Sequence, residues 1–155
     1  VYRILAVFLL GGAGALSGQD LNRDEVLRRL QAEPLQEAVS SEQDPYAPAL
    51  QALDRLATAQ PDEELTRGAL LFQLRRPGAD FPLNAQILGR LFLEQTDTFL
   101  KVWNSLPGAQ QLGLAAYLRY GWQKAMEGKN KSSPRLVEKQ KKMDRLLAAL
   151  INTRP

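Results

Sequence analysis

The chain has 155 residues, 45% apolar and 24% charged, with a net charge of +3; these values suit one folded domain and argue against wholesale disorder. It contains no cysteine and no histidine, which excludes disulfides, thiolate chemistry, Cys- and His-ligated metals and any Ser-His-Asp or Cys-His site. Carboxylates, Lys, Tyr, Ser and Thr remain for chemistry, and no cofactor or metal is expected.

The charge is unevenly spread. Residues 128–155 carry eight Lys/Arg against Glu138 and Asp144, a net of +6, while residues 1–127 carry twelve against fifteen acids, a net of −3. The basic character therefore belongs to the last segment.

Val1-Tyr2-Arg3, the apolar run Ile4 to Leu10 and the small residues that follow form a secretory signal pattern. Small residues at Ala15 and Ser17 place cleavage after Ser17, with Gly18 as the alternative. The uncharged run from Ile4 to Gln19 falls short of the roughly 20 apolar residues a spanning helix wants, although an uncleaved anchor is the second reading. Gly11, Gly12 and Gly14 count against a buried cytosolic helix, at about 1 kcal/mol each. Leu16-Ser17-Gly18 resembles the start of a bacterial lipid-attachment box, but Gln19 stands where the cysteine belongs, so no lipid is expected. The expected location is periplasmic or extracellular, in a bacterial envelope.

After Asp20 no β-branched alternation occurs, and Leu, Ala, Gln, Arg and Glu dominate. The expected fold is all-α: an irregular antiparallel bundle or helical-repeat-like stack of six to seven short helices in one domain, residues 20–155. Asn22-x-x-Glu25 opens the first helix as a capping box, and Pro34 ends or kinks it near Glu33. Asp44-Pro45 is read as the cap of a second helix that runs to about Gln60. Pro61-Asp62-Glu63-Glu64 starts a third, whose all-round apolar run from Gly68 to Phe72 marks it as central.

Pro77-Gly78 stops the third helix, and Asn84 is expected to cap the fourth. Thr96-Asp97-Thr98 is expected to break that helix and cap a fifth ending at Leu106, with one long helix over 84–106 as the alternative. Pro107-Gly108 precedes a sixth over 109–127, and Ser133-Pro134 caps the last, about 134–152. Six of the eleven aromatics lie between Asn84 and Met126, so the core is expected there. Ala85 to Gly89 matches Ala109 to Gly113 faintly, as a helical repeat would, although chance explains the match in so Leu- and Ala-rich a chain.

The functional candidates are few. Trp103, Tyr120 and Trp122 are the expected contact residues for a partner, with core burial as the ordinary alternative. In the last helix, Leu136, Met143, Leu147 and Leu150 share one face, while Lys139, Lys141, Lys142 and Arg145 supply an electrostatic patch. That helix suits a protein partner or an anionic lipid surface. Nucleic acid is not expected, because no aromatic interleaves these cations. Glu94 and Asp97, three apart among aromatics, match the paired carboxylates of a glycan hydrolase. The residue after Glu94 is Gln95, whereas lytic transglycosylases have Ser there, and a solvated pair is the plainer reading. The leading expectation is a non-enzymatic exported adaptor, chaperone-like module or accessory subunit that binds through a helical surface. A cell-wall glycan hydrolase and an anionic-membrane binder are the alternatives.

Overall fold

The computed structural model describes residues 21–32, 44–76 and 82–151. The signal pattern, the Pro34 kink and the Pro77-Gly78 stop lie outside them. Seven α-helices and no strand occur among the described residues: α1 (Arg23–Gln31), α2 (Ala47–Ala59), α3 (Glu63–Arg75), α4 (Pro82–Glu94), α5 (Thr96–Asn104), α6 (Gly108–Ala125) and α7 (Pro134–Ile151). The all-α expectation is met. None of these helices is long and apolar enough to cross a membrane.

Among the described residues, side-chain caps open three of the seven helices, α1, α3 and α7. Asn22 Oδ1 accepts from Glu25 N at 3.0 Å, and Asp62 Oδ1 accepts from Leu65 N at 2.9 Å. Each satisfies one amide that the first turn leaves without a helical partner. Ser133 Oγ does the same for Leu136 N at 3.3 Å.

Three starts differ from expectation. Asp44 Oδ1 binds Tyr46 N at 3.0 Å within a turn, so α2 begins at Ala47 and Pro48, not Pro45, sits in its first turn. Asn84 does not cap α4, which is already helical from Pro82. Its buried side chain donates instead to Ala69 O at 3.3 Å and Gln73 Oε1 at 3.0 Å, tying α4 to α3. The α4–α5 break falls one residue early, at Gln95 (φ −124°, ψ 48°), and no side chain caps α5. Thr96 Oγ1 donates back to Phe92 O at 2.6 Å, a bond that bends a helix. Gln95 N still reaches Leu91 O, and Phe99 N still reaches Gln95 O, so the break is a kink in a nearly continuous ladder.

The core is centred on α4, and its most extensive packing is against α6. Gly89 on α4 and Gly121 on α6 face each other with no room for a Cβ on either, so the two backbones cross in direct contact. Phe92 lies beside this crossing. It meets Phe99 edge-on at 5.4 Å and Trp122 edge-on at 5.3 Å, and Trp103 stacks on Phe99 at 6.0 Å. As expected, α3 is central: Leu65, Ala69, Leu70 and Phe72 are fully enclosed. Ala85 to Gly89 and Ala109 to Gly113 do not play equivalent parts. Gly89 serves the α4–α6 crossing, whereas a Cβ on Gly113 would press on the Leu74 side chain.

Polar links bind the periphery to this core. Arg23 reaches Asp62 (2.7 Å) and Glu64 (2.5 Å), joining α1 to the start of α3. Arg90 grips Asp54 with two bonds of 2.8 and 2.7 Å, joining α4 to α2. Arg76 and Asp44 form a 3.0 Å pair with side chains only 6% and 7% exposed. The Arg76 guanidinium also lies 4.6 Å from the Tyr46 ring centre and 5.5 Å from that of Phe72.

Candidate functional site: a groove between α5 and α7

The last helix docks by its apolar face. Met143, Leu146 and Leu150 are buried, and Leu136 and Leu147 pack partly against the core. Ile151 is exposed. Trp122 Nε1 donates to Gln140 Oε1 at 2.7 Å, fixing α7 to α6. Lys139 Nζ donates to Leu93 O near the end of α4. Burial pushes the Lys139 ammonium below the usual lysine range, and the Arg135 charge adds to the shift.

Two further contacts reach the α4–α5 kink. Arg135 lies 3.8 Å from Glu94, and Lys142 lies 3.5 Å from Asp97. Lys142 therefore reaches across to α5. Glu94 and Asp97 do not share a helix face, since the kink at Gln95 puts them on successive helices. Both border a polar hollow of about 340 Å³, floored by Gln95, Thr96 and Thr98 and edged by Arg135, Glu138, Lys139 and Lys142. Asp97 is almost wholly in solvent, its side chain 94% exposed.

A second hollow continues from the first. Lys142 belongs to both, and the second holds about 480 Å³. Its walls are Leu100, Trp103 and Asn104 from α5 and Lys142, Arg145, Leu146, Ala149 and Leu150 from α7, with Gln111 of α6 closing one end. The lining spans Leu100 to Asn104 on α5 and Lys142 to Leu150 on α7, and Lys142 also reaches Asp97 in the first turn of α5. The slot between them has a mainly apolar floor and two cations on its rim. Gln111 is held in place by a 2.8 Å bond to Trp103 O. Arg145 is exposed and has no carboxylate partner among the described residues.

The residues expected to make contacts do not converge. Trp103 and Trp122 are enclosed in the core because their rings join the Phe92–Phe99 cluster, and this takes Trp122 out of any contact surface. Trp103 survives as part of the groove floor. Tyr120 is 38% exposed, on the outer face of α6 with Leu112. Lys139, Lys142 and Arg145 edge the α5–α7 hollows, whereas Lys141 borders a smaller one of about 210 Å³ beside Met126, Leu136 and Val137.

Sequence reasoning missed Leu100, Asn104, Gln111 and Ala149. Leu100 and Ala149 carried a signal: each is an apolar residue lying off the main stripe of its helix. Among the described residues no group of three or more acidic side chains is placed to hold a metal. The chain matches no family model, no curated protein and no solved structure.

Proposed function

We propose that the chain is a non-enzymatic binding module that engages a protein partner at the α5–α7 groove. In this reading the N-terminal segment directs export, and the module works in a bacterial envelope as an adaptor or accessory subunit. One observation carries the reading: an apolar slot of about 480 Å³, bounded by two helices and rimmed by Lys142 and Arg145. Clefts of this size and lining are where proteins take ligands and partner side chains.

The alternatives draw less support from the geometry. An interfacial membrane helix needs its whole apolar face free, and here Met143 is enclosed and Leu146 and Leu150 show only the edges that line the groove. A glycan hydrolase needs two carboxylates converging on one bond. Here Glu94 and Asp97 face cations of α7 instead.

The test is capture from the native envelope by wild-type protein and by an Ala149→Glu variant. Ala149 is exposed, so the variant should keep its fold, checked by circular dichroism. A partner recovered by wild type and lost from the variant is expected. If both proteins recover the same set, the groove is not the binding site.

A further inference from the structure

The groove has a chemistry as well as a shape, and it deepens the binding reading on which it rests. We infer that its occupant is an acidic amphipathic helix of a partner protein, with apolar anchors against Leu100, Trp103, Leu146 and Leu150 and carboxylates on Lys142 and Arg145.

Length supports a helical occupant. From Lys142 to Leu150 the groove runs along about 12 Å of α7, at 1.5 Å per residue. Two turns of a third helix fit alongside, presenting anchors at i, i+3, i+4 and i+7. Such a helix would lie in the furrow between α5 and α7, with its side chains in the hollow.

Charge complementarity supports an acidic one. Arg145 stands at the rim with no carboxylate partner among the described residues. Lys142 is held by Asp97 at 3.5 Å, and Asp97 is 94% exposed. Asp97 therefore occupies the place that an incoming carboxylate would take. It acts as a weak internal competitor, easily displaced because the pair is open to water. A basic helix would meet two cations and be rejected.

The probe is a fluorescein-labelled helical peptide of about 15 residues with leucines at i, i+3, i+4 and i+7 and glutamates on its flanks. One control replaces every glutamate by lysine, and another every leucine by serine. Fluorescence anisotropy is read against wild type, Arg145→Glu, Asp97→Asn and Ala149→Glu. Wild type should bind the acidic peptide and neither control. Arg145→Glu should weaken binding at least about tenfold, the scale of one charge pair at an interface. Asp97→Asn should tighten it by about threefold, since a competitor is removed; a merely structural role for Asp97 would weaken it.

The failures are separable. No saturable binding up to about 1 mM, the limit of a meaningful contact, overturns the inference. Binding lost in Ala149→Glu but equal for the acidic and lysine peptides leaves the groove reading standing and overturns the acidic occupant. Binding indifferent to Ala149→Glu overturns both. Vesicles of phosphatidylglycerol, or a second copy of the chain in sedimentation velocity, showing the only groove-dependent binding would assign the slot elsewhere and also overturn it.

Discussion

Gly89 and Gly121 meet backbone to backbone at the α4–α6 crossing, and a Cβ on either would fall within bonding distance of the opposite chain. An Ala85 carbonyl blocks the space beside Gly121 just as the Gly121 carbonyl blocks that beside Gly89. Inside an exposed helix, Gly→Ala gains about 1 kcal/mol. Here the sign reverses, because neither backbone can step aside without moving the Phe92 cluster. Gly89→Ala and Gly121→Ala should each cost about 3 kcal/mol in urea unfolding, at the upper end of overpacking effects. The double variant should cost less than the sum, since one separation of the helices relieves both clashes.

Arg76 and Asp44 make a different kind of link. The pair is nearly dry, and the guanidinium also rests against the Tyr46 and Phe72 rings. Removing the Arg76 guanidinium leaves the buried Asp44 carboxylate without its counterion. Arg76→Met should therefore cost about 3 kcal/mol in the same assay. Replacing both with apolar residues should cost less than that single change, because the Asp44 charge is then no longer buried.

The α1–α3 junction should set an acid limit. The Arg23 guanidinium holds the Asp62 carboxyl below the usual carboxylate range, and the Leu65 amide adds to this. The folded value thus lies beneath the unfolded one, about 3.9. The contribution is complete above that unfolded value and is lost as pH falls through the depressed folded value. Glu25, lowered by Arg28 and Arg29, titrates in the same direction. Urea unfolding from pH 6 down to about 2 should show stability falling below about pH 4. Arg23→Gln should flatten that fall, since Asp62 then loses its principal partner; an unchanged slope would locate the acid sensitivity elsewhere.

Element identity was legible because proline, asparagine and aspartate mark nearly every helix start and the apolar spacing is helical throughout. Ends shifted where a side chain found a better partner than the backbone beside it. Asn84 reads as a cap by type, yet Gln73 and Ala69 take its amide. Thr96 reads as a helix starter, yet its hydroxyl turns back to Phe92. The site was harder to read. Aromatic residues were a sound guide to where the core lies; of the two tryptophans expected at a contact surface, Trp122 is enclosed beside Phe92, whereas Trp103 also lines the groove. The groove depends on α5 and α7 bordering one hollow, a relation between segments about forty residues apart that no local pattern encodes. Its only trace in one dimension is apolar residues placed off the stripe, at Leu100 and Ala149.

The hold of α7 on the body tests what Glu94 and Asp97 are for. Their partners Arg135 and Lys142 lie at 3.8 and 3.5 Å, in contact with water. Exposed pairs of this kind contribute about 0–1 kcal/mol and weaken with salt. Glu94→Gln and Asp97→Asn should therefore each change stability by less than about 1 kcal/mol. Met143→Ala, which empties a fully buried site, should cost about 3 kcal/mol. The contrast assigns the docking of α7 to its apolar face and leaves the carboxylates as adjustable contacts on the groove rim. A hydrolase would depend on the same two residues in another way: wild type would degrade cell-wall glycan, and Glu94→Gln would abolish the activity without touching stability. No turnover by wild type is the expected result, because each carboxylate faces a cation of α7 and Asp97 stands open to solvent. Measurable turnover lost in Glu94→Gln would reverse the assignment and make the polar hollow, and not the apolar slot beside it, the working site.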